Sequence, residues 1–393
     1  MTQLERKTFV RHLLFAALNG IGFGVTVTLQ EVVAWRVFDA SATQVTILYM
    51  TVHFAMLSSV FFTGTMQKFK RHSGILIAAG IIRIIAMSSI FFVQNAWQFI
   101  IAMWVFQLPL AVVNPAQNFI LAKNYPSSSR GIRFGISVSV MNFFAIVASF
   151  AAGVILDIND MYFKYIFFGV GIITAVSIFS LASIPTKNRM MKTVGNPFRD
   201  MIKIFRTNRG FWKFQRNFFI YGVAFLILGP VIPIFMVDVL NMSYTEISIA
   251  RGIIAYLGIA VFAPFSGKAL DKHNPFLHAA RAFAILALFP LFFLVSYFGG
   301  KWFVFAAYGF YSLAMAGVSI IWNLGSTYFS EHDREATYQS VHLTMTGIRG
   351  LSAPLFGLLT LSVFGFNTTF GLSAAIFLLA AFLMFRASRN EEL

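Results

Sequence analysis

The chain has 393 residues, 58% of them hydrophobic and 11% charged, with 48 Phe and a formal net charge of +16. That much apolar side chain exceeds what a water-soluble fold of this length can hide, which excludes disorder, a disulfide-stapled secreted scaffold and an ordinary cytosolic enzyme. The absence of Cys removes disulfides, thiolate metal sites and cysteine nucleophiles together, and the positive charge has to be tested against membrane topology before nucleic acid is considered.

At roughly 20 apolar residues per crossing, the first half holds six spans, at 10–37, 43–65, 74–94, 97–122, 132–156 and 163–184. The first is too long and too polar for a cleavable signal peptide, since it carries Asn19, Gln30 and Glu31 and no small-residue cleavage site follows. A polar interval at 185–213 comes next. In it Asn196 and Pro197 read as the start of a short helix whose apolar stripe is Phe198, Met201, Ile202 and Phe205, with Arg199, Lys203 and Arg206 off the stripe. A helix lying on the membrane surface and a flexible tether both fit this segment. Six further spans follow at 214–237, 244–266, 275–297, 302–325, 337–362 and 366–386. The expected fold is therefore an all-α polytopic membrane protein of twelve transmembrane helices. Its parts are an N-terminal six-helix bundle (1–184), a linker (185–213) and a C-terminal six-helix bundle (214–393).

With the N-terminus placed inside, the cytoplasmic segments hold 23 of the 30 Lys and Arg, and the outer segments only Arg36, Lys164 and Lys301. This is the positive-inside pattern, so both termini are expected on the cytoplasmic side and the charge faces anionic lipid, not nucleic acid. Trp97 and Trp302 each open a span from the outer interface, as aromatic anchors do.

The two halves repeat. Phe38-Asp-Ala-Ser41-Ala-Thr43-Gln44-Val45 returns as Leu240-Asn-Met-Ser243-Tyr-Thr245-Glu246-Ile247 at an offset of 202, and Gly64 and Gly267 each begin a basic loop further on. Parallel six-helix repeats are one recurrent plan of secondary transporters. With Gly267-Lys-Ala-Leu-Asp271-Lys272, its weaker copy Gly64-Thr-Met-Gln67-Lys68-Phe-Lys70-Arg71, and the loop from Tyr125-Pro126 to Arg130-Gly131, the whole chain resembles the major facilitator superfamily. The resemblance implies two parallel six-helix bundles, a substrate bound at midplane between them, and cavity lining by spans 1, 4, 7 and 10. It also implies a cytoplasmic latch built from Gly64, Lys68, Arg71, Arg130, Gly267, Asp271 and Lys272, although the first copy has Gln67 where the carboxylate belongs.

Polar side chains in hydrocarbon are costly, so rows of them on one helix face point at protein or at a water-filled cavity. The rows are Asn19, Gly22, Thr26 and Gln30 in span 1, Gln107, Asn114 and Asn118 in span 4, and Tyr308, Ser312, Ser319 and Asn323 in span 10. Span 11 adds His342, Thr346 and Arg349, and Asn142 and Tyr256 lie near mid-depth. Helix-to-helix hydrogen bonding is the alternative role for each of them. Arg349 is the first choice for a substrate contact, being a planar cation able to hold a carboxylate or phosphate; a packing contact to a carbonyl is the competing reading. Arg83 and Arg281 read as snorkelling cations. Proton coupling needs a titratable group within a span, and Glu31 and His53 are the candidates.

The expected function is a secondary transporter of a small solute by alternating access, leaning to an anionic or zwitterionic metabolite. No enzymatic activity, metal or cofactor is expected, because neither a ligand cluster nor a nucleotide-binding glycine loop is present. The expected partners are the small-molecule substrate, the lipid bilayer and protons, for a monomer in the plasma (cell inner) membrane. A drug or amphiphile exporter of the same fold stays open, though span 5 lacks the Gly-Pro motif of that branch. So does a non-transporting membrane receptor or scaffold.

Overall fold

The computed structural model describes residues 2–66, 72–186, 197–271, 274–324, 327–329 and 335–390, and among these every regular element is helical. The helices are α1 (Gln3–Phe38), α2 (Ala42–Tyr49), α3 (Thr51–Met66), α4 (His72–Ser88), α5 (Ala96–Gln107), α6 (Leu110–Asn124), α7 (Ser127–Ile158) and α8 (Phe163–Ala182). After them come α9 (Pro197–Thr207), α10 (Arg209–Asp238), α11 (Tyr244–Ile247), α12 (Ala255–Asp271), α13 (Pro275–Leu286), α14 (Leu288–Gly299), α15 (Trp302–Leu324) and α16 (Glu335–Asn390).

Ten of the described helical stretches are long and apolar enough to cross a membrane by length and composition. One of them, Val341–Arg389, is two crossings joined at Gly365, whose φ of 76° and ψ of −178° break the helix. The remaining crossing is α2 with α3, interrupted at Met50, where the helical hydrogen bonds Met50 N–H to Thr46 and Phe54 N–H to Met50 carry the chain through. Among the described residues this makes twelve stretches of crossing length, as the spacing of the apolar stretches leads one to expect.

The chain divides into two units, Met1–Thr193 with Ser243–Ser248, and Val194–Met242 with Ile249–Leu393. The core of the first forms where α1, α4, α6 and α8 converge, around Phe15, Leu76, Ile120, Ile178 and Leu181. In the same unit α1 lies against α7 at very short range. A Cβ added at Gly20 or Gly24 would meet the backbone of Met141 or Ala145, so this small-x-x-x-small pair sets the approach of the two helices. The second unit has an aromatic core in which Tyr221 of α10 stacks on Phe283 of α13 with centroids 4.3 Å apart, and Phe214 and Phe218 extend the row. Gly357 of α16 gives α10 the same kind of close approach at Ile227.

The repeat has a local geometry. Asp39 and Asn241 both sit in the left-handed region, at φ 47° and 49°. The amides of Ala40 and Met242 turn back to the carbonyls of Ala34 and Met236, closing each helix end. Two residues after each left-handed residue a serine caps the next helix: Ser41 with Gln44, and Ser243 with Glu246, each a complete capping box. In the first unit Asp157, at the end of α7, accepts the amides of Tyr244 and Thr245 at 2.8 and 2.9 Å.

α9 is present, but its inward residue is Ile204, 1% exposed, whereas Ile202 is 52% exposed. The stripe read with Ile202 is thus rotated, because Phe205 turns onto Phe211 and Trp212 of α10 and brings Ile204 inward with it. Arg83 is likewise no snorkelling cation. It is buried, with its guanidinium 4.7 Å from the centre of the Phe106 ring, an aromatic face replacing water.

Candidate functional site

In the first unit the polar row of α1 is not uniform. Asn19 is half-buried beside Met141, its Nδ2 4.0 Å from Sδ. Thr26 is buried and donates to the Gly22 carbonyl of its own helix at 2.8 Å, and Gly22 itself backs onto Thr174 of α8. One turn further, Gln30 Nε2 donates to Glu31 Oε1 at 2.9 Å, and both residues are buried. Gln30 Oε1 is buried with no hydrogen-bond partner among the described residues. Glu31 is the one acidic residue among the buried described residues, at 1% exposure. His53 is half-buried on α3 beside the Tyr49 ring, with centroids 5.5 Å apart. Gln107 is buried at the end of α5, Asn142 is half-buried on α7, and Asn114 and Asn118 are exposed on α6 one turn apart.

In the second unit span 11 does bring its polar residues together. Arg349, 5% exposed, donates from Nη1 to the Phe218 carbonyl at 2.5 Å and lies over the rings of Phe218 and Tyr221. Its Nη2 is 3.4 Å from Thr346 Oγ1, and Thr346 donates to the His342 carbonyl at 3.0 Å. The room for the guanidinium comes from Gly222, where an added Cβ would collide with it. His342 Nδ1 lies 3.0 Å from Gln215 Oε1. Gln215 Nε2, Asn217 Nδ2, His342 Nε2 and Arg349 Nε are buried with no hydrogen-bond partner among the described residues. Among those residues Arg349 makes no ion pair; the one ion pair there is Glu5 with Arg133, at 2.9 Å. Tyr308 packs its ring on Phe289 and Tyr311, Ser312 donates to the Gly309 carbonyl, and Tyr256 is half-buried on α12. The Asn323 side chain lies outside the described residues.

Of the residues assigned to the latch, Gly64 and Gly267 sit in α3 and α12. Lys68, Arg71 and Lys272, and the side chains of Arg130 and Asp271, lie outside the described residues. No group of three His, Cys, Asp or Glu that could hold a metal occurs among the described residues.

Sequence reasoning missed one polar centre. His12 of α1, fully buried, lies 3.0 Å from Ser137 Oγ of α7 and 3.1 Å from Gln117 Nε2 of α6. Beside it Asn124 donates to Thr8 Oγ1, and the Arg133 guanidinium covers the Tyr125 ring. Burial pushes the Tyr125 hydroxyl up to about 12, against the opposing pull of Arg133. The signal available was positional: Gln215, His342's partner, is 203 residues after His12, and His342 is 205 after Ser137. Each unit thus places a buried histidine between its equivalent first and fifth spans.

The family model of the Major Facilitator Superfamily matches residues 13–348. Among curated proteins, the proton-coupled antiporter flippase LtaA of Staphylococcus aureus is 29% identical over 166 residues, and the match spans 41% of the length of each protein. Among solved structures, an auto-inhibited POT family peptide transporter superimposes with a TM-score of 0.79 at 11% identity, over 98% of this chain and 97% of that one. A mutant of the nucleoside transporter NupG gives 0.75 at 12% identity over 97% and 99%. A D-xylose–proton symporter gives 0.69 at 14% over 99% and 99%. These likenesses concern the fold.

Proposed function

The chain belongs to the Major Facilitator Superfamily, and from that premise we propose that it is a secondary transporter of the alternating-access type that moves an anionic or zwitterionic small solute in exchange or symport with protons, without altering it chemically. The observation that carries the coupling is the buried Gln30–Glu31 pair on α1. A carboxyl group held inside a membrane span is expensive unless it has work to do there, and proton relay is the usual work. The amide of Gln30 donates to one carboxyl oxygen of this group, which takes up or gives away the proton. His53 is the second candidate in the same unit. Arg349, with Thr346 and His342 behind it, supplies positive charge in the second unit for an anionic group. Asn19, Thr26, Gln30, Gln107, Asn114, Asn118, Asn142, Tyr256, Tyr308, Ser312 and Asn323 complete the proposed lining. The protein acts as a monomer in the plasma membrane with both termini cytoplasmic.

A second reading has its own support. The S. aureus relative, a proton-coupled antiporter flippase, favours an amphiphilic cargo moved against protons, and its match covers less than half of either chain.

Proteoliposomes separate these statements. Any solute that stabilises the purified protein against heat should enter by counter-flow, and a pH gradient should drive its accumulation. Glu31→Gln should retain counter-flow and lose gradient-driven accumulation by tenfold or more. A protein that binds its ligand and never exchanges it is no transporter; accumulation that persists in Glu31→Gln removes Glu31 from the coupling.

A further inference from the structure

The C-terminal unit carries a crevice that the transport reading does not use. It is a cavity of about 160 Å³ between α12 and α13, floored by α15. Its walls are apolar, with Phe265, Ile285 and Leu313 prominent, and its polar members are Ser266, His278 and Arg281. Both walls rest on α15 while meeting each other only sparsely, so the crevice is a gap between two helices sharing one support. Gly317 keeps the floor low: an added Cβ would come within 3.2 Å of Ala282 Cβ and His278 Nε2.

Its position and charge restrict what could fill it. Arg281 comes six residues after Pro275 at the start of α13, about 9 Å along the helix, and Gly317 is a similar distance from the end of α15. The crevice therefore lies in the leaflet next to the basic loops, where an anionic lipid surface is expected. Phe265 is 69% exposed, and Leu257 and Val261 of the same helix are 52% exposed, an apolar rim suited to hydrocarbon chains. Arg281 is exposed and makes no hydrogen bond or ion pair among the described residues, and Lys268, three residues after Phe265, is also exposed. Inside, His278 is 7% exposed and its Nε2 lies 3.1 Å from Ser266 Oγ, so a polar pair stands at the base of an otherwise apolar slot. A cation at the mouth, a polar pair within and apolar walls beside them suit one kind of molecule: a phosphate head with fatty chains attached.

We propose that this crevice binds an anionic phospholipid, its phosphate held by Arg281 and Lys268 and one acyl chain lying along Phe265. A lipid seated there fills the gap between α12 and α13 and restrains α12, so anionic lipid should stabilise this protein more than zwitterionic lipid does.

The test uses the delipidated full-length protein in detergent, with dioleoyl phosphatidylglycerol or dioleoyl phosphatidylcholine added in mixed micelles. Thermal unfolding and native mass spectrometry give stability and the number of lipids retained. Phosphatidylglycerol should raise the melting temperature and be retained, and Arg281→Gln should weaken its retention about fivefold, the factor one basic side chain is worth at an anionic surface. Arg281→Lys should keep most of it. Because Arg281 is exposed, the variant should fold as the parent does; should it not, a photoactivatable phosphatidylglycerol must cross-link to α12 or α13 of the parent. Equal stabilisation by phosphatidylcholine overturns the proposal, as do cross-links elsewhere alone or retention unchanged in Arg281→Gln. Glycerol phosphate producing the same shift would show a small-anion site in place of a lipid site and also overturn it.

Discussion

Arg349 is a cation surrounded by aromatic faces and a backbone carbonyl, with Gly222 cut away to admit it. Such a group can serve packing or function, and the two roles separate under substitution. A buried ion replaced by an apolar side chain of similar length is often tolerated or even stabilising, because the cost of desolvating the charge disappears with it. Arg349→Met should therefore unfold within a few degrees of the parent while uptake of an anionic solute falls at least tenfold. Thermal unfolding and proteoliposome uptake measure the two halves of that statement, and unimpaired uptake would return Arg349 to a packing role. Arg349 and Glu31 were legible in the sequence because charge inside an apolar run announces its own cost. His12 was not, since it stands close to Arg11 at the start of a span and could pass for an interfacial residue. Its partners Ser137 and Gln117 come from two other helices, and nothing in a linear reading joins them.

Helices meet in this chain where side chains are missing. Gly20 and Gly24 let α1 reach the backbone of α7, and Gly357 does the same for α16 against α10. In a membrane, where lipid competes on equal terms for apolar surface, such close van der Waals contact supplies much of the association. Gly24→Leu should accordingly cost about 1–3 kcal/mol by overpacking, seen as a lower melting temperature, while the same change at Gly135, which has open space around its Cβ position, should be close to neutral. Equal effects at both sites would deny the contact its importance. The lengths of these elements were legible from apolar runs, and the segments around Ser41 and Ser243 were legible as a repeat, though not as the two capping boxes that start α2 and α11. The rotation of α9 was not legible, because Met201, Ile202, Ile204 and Phe205 admit two apolar faces and only the rings of α10 choose between them. The burial of Arg83 depended in the same way on a ring from another helix, Phe106.

At the level of the entire polypeptide, the charge distribution predicts which way the crossings run. The chain contains no Cys, so a single cysteine placed anywhere is the sole thiol. Cysteines introduced at Thr2, Lys192 and Arg389 should react with an impermeant maleimide only after cells are opened, and one at Lys301 should react in intact cells; labelling of Lys192→Cys in intact cells would reverse the orientation. The twelve crossings and the repeat were legible because hydropathy and a 202-residue offset survive without tertiary information. The solute was not, because the rows of polar residues constrain polarity and leave shape open. One further consequence follows from Gly365, whose φ of 76° joins the last two crossings at a single residue. Backbone of that hand is nearly closed to any residue with a β-carbon. The corner joins the two crossings without an intervening loop, so an epitope inserted there would have to bring its own spacer.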